Sequence, residues 1–178
     1  DTLYRDLIWR NRSLPHRLLQ TGADVFHAPQ ARGVLKPTIP MVVTFHDCYG
    51  LRHPEGFSKW TGYYQKTFLP TLLQRARVII AVSDFTRREI LHFFPRTDDR
   101  KIVVIHHGVA KHFRPAGADQ REAMARRYAL PDRFFLAVNT LEPRKNLPRL
   151  IEAYRSISSD VKEDLVLVGS PGWIPKHL

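Results

Sequence analysis

The stretch Arg75–Ile90, RARVIIAVSDFTRREI, decides the fold. Val78–Val82 (VIIAV) is an unbroken apolar run bounded by polar residues, which reads as a strand buried on both faces. Ser83 follows at once, where a helix N-cap belongs, and Phe85–Phe94 continues as helix. A buried strand that turns directly into a helix predicts crossovers and a parallel α/β sheet.

The same alternation extends outward. Upstream, Tyr4–Leu19 reads as an amphipathic helix interrupted or restarted near Pro15. Asp24–Ala28 and Met41–Thr44 read as short buried strands, and Lys59–Ala76 as a helix kinked at Pro70. Downstream, Ile102–Ile105 (IVVI) is a further buried strand. A helix starts at Asp119, with Glu122 at capping-box spacing. Phe134–Val138 (FFLAV) is a strand, and Leu147, Leu150, Ile151, Tyr154 and Ile157 mark one face of a helix. Leu165–Val168 is the last strand, ended by Gly169. Nearly all-apolar strands predict a sheet covered on both faces. The Pro- and Gly-bearing stretch His112–Asp119 marks a boundary near residue 115, giving domains 1–115 and 116–178.

Composition narrows the function classes. The 178 residues are 43% hydrophobic and 25% charged, which describes a globular chain able to bury a core. A single cysteine, Cys48, rules out an intramolecular disulfide and points to a reducing compartment. No apolar run approaches the roughly 20 residues of a membrane span. The net charge of +11 favours an anionic partner. That charge is uneven: residues 1–118 carry 18 Lys and Arg against 9 Asp and Glu, and residues 119–178 carry 10 against 8.

Three segments carry chemistry. Val42–Asp47 (VVTFHD) ends a strand with a His-Asp pair at the edge where open α/β sheets bind ligands. His46 there suits acid/base or hydrogen-bonding work, and Asp47 either orients it or binds hydroxyls itself. Asn139–Asn146 (NTLEPRKN) joins a strand to a helix, where backbone N–H groups favour anions. Arg144 and Lys145 add two positive charges, and Asn146 occupies the N-cap position. The loop has neither the P-loop pattern nor the dinucleotide fingerprint. Ile105–Val109 (IHHGV) closes the first part, with Gly108 suited to a tight turn or a close ligand approach. Its adjacent His106 and His107 point to opposite sides of an extended segment, and no cysteine pair or carboxylate cluster accompanies them, so no metal site is expected. Cys48 lies beside His46 and Asp47, but no nucleophile-elbow motif supports it. Asn11-Arg12-Ser13 matches the glycosylation triplet, which a cytoplasmic chain does not use.

Read in order, VVTFHD, HPEGFS (His53–Ser58), RARVIIAVSDFTRREI, VIHHGV and FFLAVNTLEPRKNLPRLIEAY resemble family 4 of the retaining glycosyltransferases, nearest to its mannosyltransferase-type branch. The resemblance runs from Asp24 to Trp173, and the PRKN block is its most specific part. It implies a GT-B fold: two Rossmann-like, doubly wound α/β domains facing each other across a cleft, each incomplete in this chain. The first would bind a glycan or lipid-linked acceptor and the second a nucleoside-diphosphate sugar. By resemblance, Lys145 contacts the donor diphosphate, with Arg144 as its basic neighbour and Thr140 in the same loop. His46 lines the cleft beside the transferred sugar and is the candidate catalytic residue. Asp47, Ser83, Gly108 and Asn139 are weaker cleft-lining candidates, and Asn139 stands where the family usually has glycine. No metal and no cofactor are implied, since the nucleotide sugar is a substrate.

Chemically, negative charge develops on the departing diphosphate, and fixed cations lower that barrier. Front-face attack by the acceptor, implied by the resemblance, needs no enzyme nucleophile. The family's earlier strand and glycine loop would precede Asp1, and its acidic donor motif would follow Leu178. The chain therefore reads as an internal piece, inactive alone. Two other classes compete: a non-catalytic regulatory or assembly domain, and a basic nucleic-acid-binding module. The second is disfavoured because aromatics and arginines are not interleaved. Arg5, Arg10, Arg12 and Arg17, with Trp9, also predict an anionic membrane surface as partner, at the inner face of the membrane.

Overall fold

A computed structural model describes residues 2–57 and 59–170, with side chains from residue 7 onward except at Gly56. The chain divides into two compact units, residues 1–109 and 110–178. The side chain of Arg5 and the end of the resemblance at Trp173 lie outside the described residues.

The first unit holds α1 (Thr2–Gln20), β1 (Phe26–Ala28), β2 (Met41–Phe45), α2 (Tyr49–Arg52), α3 (Lys59–Arg75), β3 (Val78–Ala81), α4 (Asp84–Phe93) and β4 (Ile102–Val104). Helix α1 is continuous through Pro15 instead of restarting there, and α3 likewise runs through Pro70. The four strands pair in parallel in the order β1-β2-β3-β4. Register places Ala28 beside Val43, Val43 beside Ile79 and Ile79 beside Ile102.

That register puts Ala28, Met41, Val43, Phe45, Ile79, Ala81 and Ile102 on one sheet face, all buried. Leu69, Leu72 and Leu73 of α3 and Ile90 of α4 pack into the same core. Strands wound in chain order, with crossovers of one hand, send successive helices to the same face. Among the described residues the opposite face is less completely covered. On the opposite face Val42, Val78 and Ile80 are only half-buried and Val103 is 45% exposed. Thr44 on that face is buried, with its hydroxyl 2.8 Å from His27 Nε2.

The second unit holds α5 (Ala118–Tyr128), β5 (Phe134–Val138), α6 (Leu147–Ile157) and β6 (Asp164–Val168). β5 and β6 pair in parallel, Phe134 opposite Asp164 through Val138 opposite Val168. Helix α5 starts at Ala118, and its N-cap is Gly117. The expected Asp119–Glu122 box is absent: Gln120 Oε1 accepts from the Gly117 N–H, while Glu122 pairs with Arg126 one turn on.

Candidate functional site

In the first unit the candidate residues gather where the strands end. β2 finishes at Phe45, so His46 and Asp47 emerge at the C-terminal edge of the sheet. Ser83 emerges after β3, and its Oγ accepts the Thr86 N–H at 3.1 Å, which makes it the N-cap of α4. Thr86 then donates its hydroxyl to the His46 carbonyl at 3.0 Å and ties α4 to the histidine. Ser83 thus acts through the helix, and Thr86, which the sequence reading missed, makes the contact.

Both ring nitrogens of His46 are engaged. Nε2 lies 2.9 Å from the Pro29 carbonyl, which can only accept, so Nε2 carries the proton. Nδ1 of the neutral ring is then an acceptor, and His107 Nε2 donates to it at 3.3 Å. The two rings stack with centroids 5.2 Å apart. His107 is a residue of this edge that sequence spacing did not single out, and it lands on His46. Asp47 Oδ1 accepts the Tyr49 N–H at 2.9 Å. A cavity of about 330 Å³ opens beside these two residues.

Burial and backbone geometry bear on three further residues of the first unit. Cys48 is buried, and burial, reinforced by the charges of Glu89 and Asp47, pushes its thiol up to about 12; it is no nucleophile. Gly108 has no positive φ, and a Cβ there would meet nothing within 4 Å, so neither a left-handed turn nor a close approach of the chain itself requires glycine. Arg10 is buried at 8% exposure and drops out of the basic face of α1, whereas Trp9, Arg12 and Arg17 are exposed. The Asn11 amide is fully used, donating to the Leu7 carbonyl and accepting from the Leu35 N–H, each at 2.8 Å. Among the described residues no three His, Cys, Asp or Glu side chains converge as a cation site.

In the second unit, the loop after β5 is pinned to the strand beside it. Asn139 N–H donates to the Val168 carbonyl at 2.9 Å and Leu141 N–H to the Ser170 carbonyl at 3.1 Å. Gly169 lies between these bonds, where a Cβ would come within 1.8 Å of the Asn139 carbonyl oxygen. The loop then makes one 3-10 turn, Pro143–Lys145, and enters α6. Asn146 stands at the N-cap with φ 52° and ψ 38°, a left-handed conformation that asparagine tolerates. It makes no side-chain cap bond, so its expected capping role is replaced by a backbone role.

The two cations of this loop differ. Arg144 Nε lies 2.6 Å from Oε1 of Glu142, a carboxylate only 5% exposed. Lys145 is half-buried, and its ammonium has no partner among the described residues. The exposed Thr140 hydroxyl lies earlier in the same loop. No acidic residue occupies the first turn of α6, although Arg149 does, so positive side chains crowd the positive end of the helix dipole. An anion placed there would relieve that conflict.

Comparison with known proteins agrees with this architecture. The chain is 30% identical over 175 residues to O-antigen chain mannosyltransferase B of Escherichia coli, covering 96% of this chain and 40% of that protein. It is 29% identical over 97 residues to the serotype-specific mannosyltransferase WbdA of Escherichia coli, covering 53% of this chain and 12% of that protein. The chain thus spans less than half the length of the curated relatives it matches. The sequence profile of Glycosyltransferase Family 4 matches residues 1–112, the whole first unit with its histidine edge, and the chain belongs to that family.

Proposed function

We propose that the protein of which this chain is part is a retaining glycosyltransferase. It moves a hexose, mannose-like, from a nucleoside-diphosphate sugar to a glycan or lipid-linked acceptor in polysaccharide biosynthesis. The observation that carries the donor half is Lys145: a half-buried lysine whose ammonium has no partner among the described residues, in a strand-to-helix loop whose following helix begins with no acid. A diphosphate supplies the missing charge. As the glycosidic bond breaks, negative charge grows on the leaving phosphate, and a fixed cation stabilises it more than it stabilises the ground state. In this reading Lys145 meets the phosphate, the Thr140 hydroxyl adds a donor, and Arg144 shapes the turn through Glu142. His46 faces the sugar as a ring held by two hydrogen bonds, and the departing phosphate itself takes the acceptor proton. The names of the two mannosyltransferase relatives support the mannose-like donor. No metal enters the scheme.

The test is Lys145→Ala in the complete protein, titrated with guanosine, uridine and adenosine diphosphates. The nucleotide that binds the wild type should bind the variant about tenfold or more weakly, and turnover should fall further, by a factor of about 10² to 10³. Unchanged nucleotide affinity sinks the reading.

The proposal places the enzyme in the cytoplasm against the inner membrane face. Trp9 is 48% exposed, near the exposed Arg12 and Arg17, and among the described residues no helix is long and apolar enough to cross the membrane. Equal co-sedimentation with neutral and anionic vesicles would exclude the electrostatic part.

A further inference from the structure

The cavity beside His46 has a chemistry of its own. It opens among the loops that follow β1 and β2 and one side of α3. At about 330 Å³ it sits at the small end of ligand sites, roughly 300–1,000 Å³, too small for a nucleotide. Its polar lining is Gln30, Arg32, His46, Asp47, Thr61 and Gln65, with apolar surface from Phe45, Tyr64 and Leu69. One carboxylate and one guanidinium leave it electrically balanced. The Tyr64 hydroxyl is spent on the Ala31 carbonyl at 3.1 Å, so that residue contributes chiefly its ring.

Two polar groups have unused capacity. Asp47 gives one oxygen to the Tyr49 N–H, and the other has no partner among the described residues. Gln65 keeps a buried Oε1 with no hydrogen bond. Its amide is packed against Gly50, where a Cβ would come 2.4 Å from Nε2, so the backbone on that side leaves the carboxamide no room to withdraw. A buried acceptor left unmet is costly, and a ligand hydroxyl would satisfy it.

We propose that this cavity holds one neutral pyranose ring of the acceptor, and not a phosphate of a lipid carrier. The inference rests on the glycosyl-transfer reading and narrows its acceptor. A pyranose has a rim of hydroxyls and a face of C–H bonds, and it needs both acceptors and donors around it. A carboxylate, two amides and a hydroxyl above apolar side chains meet that need. A phosphate needs donors and cations only, and here the Arg32 guanidinium is offset by the Asp47 carboxylate.

The two ligands predict opposite signs for one substitution. The complete protein is titrated with the methyl α-pyranosides of mannose, glucose and galactose, and separately with inorganic phosphate. Expected is binding of at least one pyranoside, weakened about tenfold by Asp47→Asn and also by the shape-conserving Gln65→Leu, with the nucleoside diphosphate still bound. Asp47 is exposed, so its substitution should leave the fold intact, and circular dichroism checks both variants. Phosphate binding that Asp47→Asn strengthens overturns the inference. So does nucleotide binding with no pyranoside bound, or pyranoside affinity indifferent to both substitutions. Pyranoside binding that depends on Asp47, with no nucleoside diphosphate bound, leaves the cavity assigned to a sugar and sinks the glycosyl-transfer reading instead.

Discussion

Gly169→Ala tests how the donor loop is held. The added Cβ would lie 1.8 Å from the Asn139 carbonyl oxygen and 2.8 Å from its carbon, both backbone atoms that cannot rotate away. To reach even 3.0 Å, the end of β6 and the start of the loop must separate by about 1.2 Å. The two bonds that straddle the contact, at 2.9 and 3.1 Å, would both stretch past useful length. Losing them costs about 0.5–1.5 kcal/mol each, and the overpacking adds about 1–3 kcal/mol, for a total of about 2–6 kcal/mol. Hydrogen exchange reads this locally: the Asn139 and Leu141 amides should exchange roughly 30- to 25,000-fold faster, with the amides of β2 and β3 unchanged. Because Asn139 and Thr140 open the loop that carries Lys145, nucleoside-diphosphate affinity should fall as well. Wild-type exchange at both amides would refute the argument, since no relaxation of side chains can absorb a backbone overlap of this size.

Further tests follow from the first unit. Leu73→Ala removes a fully buried side chain from the contact of α3 with the sheet, and should lower stability by about 2–5 kcal/mol in urea unfolding. Arg52 forks onto Glu89 at 2.8 and 2.6 Å and holds its carboxyl below the usual range. That contribution is complete above the unfolded value of about 4.3 and disappears as pH falls through the folded one. Glu89→Gln should therefore lower the urea midpoint at pH 7 and narrow the difference between pH 7 and pH 3. With its thiol near 12 and buried, native Cys48 should resist iodoacetamide at pH 8 and react only on unfolding, and Cys48→Ala should keep its turnover.

What the sequence showed of the fold was what short-range rules control. Val78–Ala81 and Ser83 could be read because an apolar run and an N-cap need only neighbours, and Phe134–Val138 has the bounds that its composition marks. The uneven cover of the two sheet faces among the described residues could not be read. Val42, Ile80 and Val103 are as apolar as their buried neighbours, and only the order of the strands decides which face the helices cover. His107 escaped for a similar reason: it meets His46 across 61 residues, and no spacing encodes that. The Glu142–Arg144 pair lies inside one quoted loop, but its weight comes from the burial of Glu142, which depends on packing.

The sequence nominated residues as adjacent pairs, and the structure treats the members of each pair differently. His46 has both nitrogens satisfied, while one oxygen of Asp47 has no partner among the described residues. Arg144 is tied to Glu142, while Lys145 has no partner among the described residues. His107 is stacked on His46, and His106 has no such contact among the described residues. In extended chain successive side chains leave on opposite sides, and in the 3-10 turn that holds Arg144 and Lys145 they leave about a third of a turn apart, so one member can be built into the scaffold while the other is not. The division has a kinetic consequence. Substituting a free member removes a ligand contact, so Lys145 and Asp47 variants should lose affinity for nucleotide and sugar respectively. Substituting a tied member displaces what it holds. His107→Ala should therefore lower turnover through His46 while nucleotide affinity stays at the wild-type value. A His107→Gln variant, whose amide can still donate to His46 Nδ1, should recover part of the loss. If His107→Ala lowered only nucleotide affinity, the tie to His46 would be incidental, and His107 would be a ligand contact in its own right.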